Sequence, residues 1–297
     1  MSPRAQYWLF RSLGTLCERL PERVDVGIFE AVFGAVGRRS KWQGSELAAN
    51  LDRVLAGGTH EPSDPRVLER YVKRGLRAYG RYWAEGAKLP AMRPSDVTAR
   101  ICFAEGKEHL RDAVAQGRGV VIALPHVGSW EWGGMLLADI GWPMTAVAER
   151  LEPPALFDWF AAKRVQMGIG VVPLDDAAGG AVAKVLRAGG VVGLLCDRDI
   201  QHNGLDVELF GEQTTMPAGP ALLALRTGAT LLCAAVYSGP GRDHHVVVTP
   251  PIDTERLASI RDDVARVTSA VASELGWLIR RAPEQWHVLQ SNWPAAA

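Results

Sequence analysis

The chain has 297 residues, of which 47% are hydrophobic and 22% are charged. These values are typical of a globular protein and exclude a disordered chain. Its 33 basic residues balance its 33 acidic residues, so no overall positive charge predicts a nucleic-acid partner. The four cysteines form no Cys-x-x-Cys pair, and we interpret them as small buried hydrophobic residues in a reducing compartment.

The N-terminal region, residues 1–44, is expected to be an amphipathic helical region. Apolar side chains recur at near-helical spacing over 6–36, interleaved with arginines, which predicts two helices broken near Pro21. Such helices lie on a membrane surface or against the protein's own core, and periodicity alone does not distinguish the two. No apolar run approaches the ~18 residues of a spanning helix, and no signal-peptide core is evident. We therefore expect the protein in the cytoplasm or on the cytoplasmic face of a membrane.

Strand and helix patterns alternate through the middle of the chain. Strands are predicted at 101–103, 120–124, 144–149, 170–174 and 191–196, and helices at 66–86, 106–116, 130–140, 154–167 and 178–188. Two more strands, 230–238 and 245–252, precede a last helix at 256–281. The alternation predicts an α/β fold with a central, mostly parallel sheet flanked by helices. We expect one domain over residues 1–297.

The most informative segment begins with the apolar run Val120–Leu124, which has the composition of a buried strand. Gly128 interrupts the pattern, and Ser129 is a good N-cap for a helix that starts at Trp130. His126 therefore lies just past the carboxyl end of a strand. In open α/β sheets this edge is where ligands bind.

Glu131 lies in the first turn of the helix that follows His126. From there we expect its carboxylate to turn back to one imidazole nitrogen, which would fix the tautomer and make the other nitrogen more basic. No serine, cysteine or second histidine accompanies the pair at motif spacing, so the pair suits a base that deprotonates a substrate hydroxyl. The alternative is a strand-end histidine that is hydrogen-bonded to the backbone.

Asp197, Arg198 and Asp199 follow the strand at 191–196 and should share the edge with His126. We interpret them as a polar wall around a sugar or head group, because carboxylates accept hydrogen bonds from sugar hydroxyls. No ligand spacing supports a metal.

The adjacent pair His244-His245 does not suit a metal either, because neighbours on a strand point to opposite faces. We expect these two residues on the surface or in a hairpin.

The pattern His126-x4-Glu131, after the glycine-rich entry 117–121 and before Trp132, resembles the lysophospholipid acyltransferase superfamily. It is most similar to the branch of bacterial lipid A late acyltransferases and actinobacterial phosphatidylinositol mannoside acyltransferases. The similarity extends over nearly the whole chain, through the segments 106–110, 209–211 and 283–286. Ser129 stands where lipid A enzymes typically have asparagine, which favours the mannoside branch.

The resemblance implies an O-acyltransferase that is peripheral to the cytoplasmic face of the cell membrane. It would transfer a palmitoyl group from acyl-coenzyme A to the 6-position of a mannose on phosphatidylinositol mannosides that carry one or two mannoses. His126 would take the proton from the acceptor hydroxyl, and Glu131 would orient His126. Acyl-coenzyme A is a substrate in this scheme, and neither a cofactor nor a metal is implied.

Further residues have expected roles around this centre. Arg164, whose counterpart is catalytically important in the family, would stabilise the oxyanion together with the backbone N–H groups near Gly128 and Ser129. Glu149 would line the substrate site with the Asp-Arg-Asp segment. The helix at 66–86 has a basic face, which is either merely solvated or in contact with an anionic membrane surface or the phosphates of coenzyme A.

Other functions remain open at this point. The chain resembles lipid A-type and other lysophospholipid-type acyltransferases as well. A thioesterase would use water in place of the sugar hydroxyl. A lipid-binding protein would keep the fold with an inert His126–Glu131 pair.

Overall fold

A computed structural model describes residues 3–39, 41–59 and 61–293. Its helices are α1 (Pro3–Arg19), α2 (Glu22–Arg39), α3 (Lys41–Ala56), α4 (Pro65–Lys88), α5 (Pro94–Thr98), α6 (Lys107–Ala115), α7 (Trp130–Asp139), α8 (Pro154–Gln166), α9 (Ala178–Arg187), α10 (Gly219–Thr227) and α11 (Ile260–Arg280). Its strands are β1 (Ile101–Glu105), β2 (Val120–Leu124), β3 (Met144–Ala148), β4 (Gly170–Pro173), β5 (Val191–Leu195), β6 (Leu205–Leu209), β7 (Glu212–Met216), β8 (Thr230–Ser238) and β9 (His244–Val248).

Seven strands form the central sheet in the order β1-β9-β8-β2-β5-β3-β4. Every neighbouring pair is parallel except β8 and β9. The predicted α/β fold with a mostly parallel central sheet is therefore confirmed. Because β2 and β5 are adjacent and parallel, the residues that follow their carboxyl ends meet at one edge of the sheet.

The central strand β2 is buried along its whole length, as its uninterrupted apolar sequence predicts. Its alternate side chains enter two separate cores. Val121 and Ala123 pack in the cluster that includes residues of α9, α10 and α11, while Val120, Ile122 and Leu124 pack in the cluster that includes residues of α6 and α7. Both faces of the sheet are therefore covered by helices.

Three local expectations differ from the structure. Residues 205–216, for which no strand was predicted, form the antiparallel hairpin β6–β7. The last helix begins at Ile260, not at residue 256, because the Ser259 side chain accepts a hydrogen bond from the Asp262 amide and caps it there. Strand β9, predicted over 245–252, covers His244–Val248 instead. His244 lies in the β8–β9 hairpin, one of its two expected places, but it is fully buried there, with Glu85 of α4 as its hydrogen-bond partner.

The break near Pro21 separates α1 from α2, as predicted. Both helices contact α4, so part of their apolar surface covers the protein's own core. The remainder is open to solvent: five large apolar side chains on α1 and α2 are between 44% and 58% exposed. These five residues, called the apolar stripe below, are Trp8, Leu16, Val24, Ile28 and Val32. In the described part of the chain, no helix combines the length and the apolar composition needed to cross a membrane.

Candidate active site

Strand register brings His126 and Asp197 together. Leu124 of β2 is paired with Leu195 of β5, and the Cys196 amide donates to the Leu124 carbonyl. His126 and Asp197 each lie two residues beyond this last pair, at the same edge of the sheet. The prediction that the two residues share an edge is confirmed, and their contact is direct.

The imidazole of His126 is held by the carboxylate of Asp197. Its Nδ1 lies 2.5 Å from Asp197 Oδ1, and the His126 backbone N–H donates to Oδ2 over 2.9 Å. The carboxylate side chain is 1% exposed, whereas the imidazole is 25% exposed. Since a carboxylate accepts the proton of Nδ1, the Nε2 atom keeps its lone pair.

The surroundings of Asp197 favour the ionised form of its carboxylate. Burial alone would raise its pKa, but the neighbouring His126, hydrogen bonds from His126 and a hydrogen bond from Trp286 together lower the pKa below the usual value for aspartate. Trp286 Nε1 donates to Asp197 Oδ2 over 2.7 Å. Asp197 was expected to contact substrate, but these bonds assign its carboxylate to His126.

Glu131 has different partners from the one expected. Its Oε1 lies 3.2 Å from Arg164 Nη2 and 3.3 Å from the hydroxyl of Tyr82. No hydrogen bond joins Glu131 to His126 among the described residues, because Asp197 already occupies Nδ1 and the Glu131 carboxylate is bound to Arg164 and Tyr82 instead. Arg164 is therefore present at the site, as predicted, but it is anchored by Glu131.

Gly128 and Ser129 have structural roles in the turn between β2 and α7. The Gly128 amide donates to the Gln285 carbonyl and the Ser129 amide donates to the Val236 carbonyl, so neither N–H group is available to an oxyanion, contrary to expectation. Gly128 has a φ of +58°, and a Cβ there would lie 1.9 Å from the Val236 oxygen, so only glycine fits. Ser129 occupies the N-cap position as predicted, but its side chain makes no capping hydrogen bond.

The C-terminal segment 285–292 completes the site, a role that was not predicted from its sequence. Besides Trp286, the His287 amide donates to the His126 carbonyl and the Asn292 side chain donates to the Asp197 carbonyl. The His287 ring packs against Tyr79 and Tyr82. Burial, and then the charge of His126, lower the pKa of His287 to about 3, so His287 is neutral at neutral pH.

A cavity of about 640 Å³ opens at His126 and runs along the face of the sheet between α9 and α10. Tyr82, Trp130 and Arg164 line it at the His126 end. The stretch between the two helices is largely apolar, with side chains that include Val147, Val182, Leu194, Leu222 and Leu223. A long hydrocarbon chain fits such a lining.

The remaining predicted site residues lie around the cavity. Glu149 and Arg198 line it, and Arg198 also donates to the Gln290 side chain. Asp199 lines it too, but its carboxylate accepts hydrogen bonds from the Asn203 and Gly204 amides and the Thr215 hydroxyl, which fixes the loop after β5. Within the described residues, no three His, Cys, Asp or Glu side chains form a group suited to a metal ion.

Two side chains that could act as nucleophiles lie near His126, but neither is activated. Cys196 is fully buried beside Asp197, and burial, with the Asp197 charge, raises the pKa of its thiol, so the thiolate does not form. The Ser129 hydroxyl is buried without a hydrogen-bond partner among the described residues, so no base is in contact with it. The geometry therefore suits activation of a substrate hydroxyl by His126.

Comparisons with known proteins found similar sequences over most of the chain. The model of the family described as bacterial lipid A biosynthesis acyltransferase matches residues 2–294. The phosphatidylinositol mannoside acyltransferase of Mycolicibacterium smegmatis is 35% identical over 93% of this chain and 89% of its own length. The protein of the same name from Mycobacterium tuberculosis is 37% identical over 84% of this chain and 77% of its own. The lipid A biosynthesis lauroyltransferase of Escherichia coli is 26% identical over 95% of this chain and 90% of its own.

Proposed function

Because this chain belongs to the bacterial lipid A biosynthesis acyltransferase family and is an acyltransferase, we propose that it transfers a palmitoyl group from acyl-coenzyme A to the 6-position of a mannose on a phosphatidylinositol mannoside. The names of the relatives at 35% and 37% identity support the mannoside acceptor over lipid A, whose lauroyltransferase is 26% identical. The single observation that carries the chemistry is the contact between His126 Nδ1 and Asp197 at the mouth of the cavity.

His126 acts as the general base. Its Nε2 takes the proton of the mannose hydroxyl as that oxygen attacks the thioester carbonyl. The tetrahedral intermediate then collapses, the carbon–sulfur bond breaks, and the imidazolium returns its proton to the departing thiolate of coenzyme A. Asp197 stabilises the imidazolium between these two steps and keeps the ring in one orientation. Acyl transfer is direct, since neither Cys196 nor Ser129 is activated as a nucleophile.

Arg164 stabilises the oxyanion that forms on the thioester carbonyl. Its guanidinium lies 4.9 Å from the centre of the Trp130 ring and lines the cavity near His126. A guanidinium carries five N–H donors, and the contact with Glu131 uses one nitrogen. Donors that are already oriented when charge develops contribute about 10²–10³-fold each.

The palmitoyl chain occupies the apolar part of the cavity between α9 and α10. The ten residues of α9 extend about 15 Å at 1.5 Å per residue, a length comparable with a long acyl chain. Glu149, Arg198 and Asp199, at the polar end, contact the sugar and its head group. The enzyme is peripheral to the cytoplasmic face of the membrane, where the apolar stripe on α1 and α2 enters the lipid interface.

The experiment offers the purified protein radiolabelled palmitoyl-coenzyme A with two acceptors side by side, a phosphatidylinositol monomannoside and a lipid A precursor. His126→Gln, which keeps the side chain polar, is the control for catalysis. We expect label on the mannoside alone and its loss in the variant. Label on lipid A, equal thioester consumption without any acceptor, or unchanged turnover in the variant would each overturn the proposal.

A further inference from the structure

We infer that Glu131 and Tyr82 are positioning residues for Arg164, and that Glu131 does not act through His126. This inference rests on the proposed acyl transfer and assigns each carboxylate at the site to a different partner. Asp197 holds the base, and Glu131 holds the oxyanion donor. Tyr82 has no role in the proposed function above.

The contacts divide the site into two units. In the first, both oxygens of Asp197 are used by His126 and Trp286. In the second, Glu131 Oε1 lies within hydrogen-bond distance of both Arg164 Nη2 and the Tyr82 hydroxyl. The Glu131 side chain is 7% exposed, so its contact with Arg164 is shielded from water and is much stronger than a surface ion pair.

Arg164 needs such support because its side chain is long. An arginine side chain loses rotamer entropy when it is fixed, and a mobile guanidinium stabilises an oxyanion poorly. Here the guanidinium is stacked over Trp130, the residue that begins α7, and bonded to the next residue, Glu131. The first turn of α7 thus sets the position of a side chain that comes from α8.

Tyr82 fixes Glu131 from the other side. Burial, followed by the charge of Glu131, raises the pKa of Tyr82 well above its usual value, so the phenol stays protonated and donates. The ring is stacked with Tyr79 and tilted against His287, which leaves the hydroxyl little freedom. Glu131 Oε2 is buried and has no partner among the described residues, so the Tyr82 and Arg164 contacts alone define the orientation of this carboxylate.

A double-mutant cycle on kcat tests the assignment. We expect Arg164→Gln to lower kcat by about 10²-fold, and Glu131→Gln to lower it by about 10-fold or more, in line with the loss of an oriented donor. In the Arg164→Gln protein, Glu131→Gln should cost less than about 3-fold, because the residue through which it acts is gone. Tyr82→Phe should behave in the same way, and Tyr79→Phe, which removes a neighbouring hydroxyl without a bond to Glu131, should have little effect.

A second measurement needs no acyl acceptor, so it tests the inference even if the proposed substrate is wrong. The rate at which diethyl pyrocarbonate modifies the His126 imidazole is measured against pH by mass spectrometry of the peptide. Asp197→Asn should shift this titration to lower pH, and Glu131→Gln should shift it far less. The inference is overturned if Glu131→Gln shifts the titration as much as Asp197→Asn, or if its effect on kcat is the same with and without Arg164. Should Glu131→Gln fail to fold, Tyr82→Phe takes its place in the cycle.

Discussion

Leu124 of β2 and Leu195 of β5 are paired across two adjacent parallel strands. From this pair the chain continues in each case for two residues past the end of the strand, to His126 and to Asp197, whose side chains then meet over 2.5 Å. His126 and Asp197 are therefore 71 residues apart in sequence, but backbone register fixes their relative position. A register shift of one residue would separate them, because it moves each side chain to the opposite face.

The first prediction concerns Asp197→Asn. An amide keeps the size of the side chain but neither accepts the Nδ1 proton in the same way nor stabilises an imidazolium, so we expect kcat to fall by about 10²–10⁴-fold. Asp206→Asn, at an exposed position on β6, is the matched control. Steady-state kinetics with both variants measure the difference, and a loss for Asp197→Asn that is no larger than the loss for Asp206→Asn would contradict the assignment.

Chain length is the subject of the second prediction. Ala183 of α9 lines the apolar part of the cavity, and Ala183→Leu adds three carbons there. We expect the preferred donor to shift from palmitoyl-coenzyme A to a shorter acyl chain, because the longer one no longer fits. Ala181→Leu, at an exposed position on the same helix, should leave the preference unchanged. Competition between donors of different length measures the shift, and an unaltered preference would place the acyl chain elsewhere.

The third prediction uses the pKa of His287. In the unfolded chain its imidazole titrates near the ordinary value of 6.5, whereas in the fold it stays neutral down to about pH 3. Between these values the unfolded state binds one proton more than the folded state. The contribution of His287 to the free energy of unfolding is therefore fully present above pH 6.5 and declines as the pH falls toward 3. The slope for one proton is at most about 1.4 kcal/mol per pH unit.

Replacement of His287 by phenylalanine isolates this effect. The ring stack on Tyr79 and Tyr82 is kept, but the titrating group is lost. Between pH 6.5 and 5, where most carboxylates remain charged, we expect the free energy of unfolding of His287→Phe to depend less on pH than that of the wild type. Urea unfolding over a pH series provides the comparison, and parallel curves for the two proteins would exclude His287 as the source.

A fourth prediction concerns the buried network of Glu85. Its carboxylate lies 2.6 Å from Arg81 Nε and 3.0 Å from His244 Nε2, and its side chain is 2% exposed. Glu85→Gln leaves the Arg81 charge uncompensated, so we expect a loss of about 3–5 kcal/mol in the free energy of unfolding. Glu69→Gln, which breaks the exposed pair with Lys73, should leave the unfolding free energy unchanged, and equal effects would show that burial is not the cause.

The fifth prediction tests the apolar stripe. Replacement of Val24, Ile28 and Val32 by serine removes apolar surface that is 44–50% exposed, so we expect only a small change in the free energy of unfolding. We expect weaker pelleting with vesicles of anionic phospholipid, because less apolar surface enters the interface. Leu257→Ser, at a site that is 63% exposed but far along the chain, is the control. Equal pelleting of both variants would exclude the stripe as the anchor.

The individual strands and helices of this fold can be predicted from the sequence, but the pairing of the strands in the sheet cannot. The apolar run Val120–Leu124 predicts a buried strand, and the breaks around Gly128 predict its end. That β2 pairs with β5 does not follow from any local pattern, because β3 and β4 come between them along the chain. For this reason the sequence placed His126 and Asp197 at one edge without predicting their bond.

The contacts between the site residues could not be predicted from local patterns either. The spacing of His126 and Glu131 made a contact between them the natural expectation, since both lie in one short segment. The structure gives each of them a partner from a distant element: Asp197 after β5 for His126, Arg164 from α8 and Tyr82 from α4 for Glu131. Local spacing thus identifies which residues are at the site, and tertiary packing decides which of them touch.

The bonds of segment 285–292 to His126 and Asp197 have a consequence for biosynthesis. A ribosome that has translated as far as Asp199 has already made the base and its carboxylate, yet Trp286, His287 and Asn292, which bond to them, are still absent. The nascent chain therefore holds an imidazole without its final alignment for almost a third of its synthesis. Translation therefore has to pass Asn292 before all of these bonds can form.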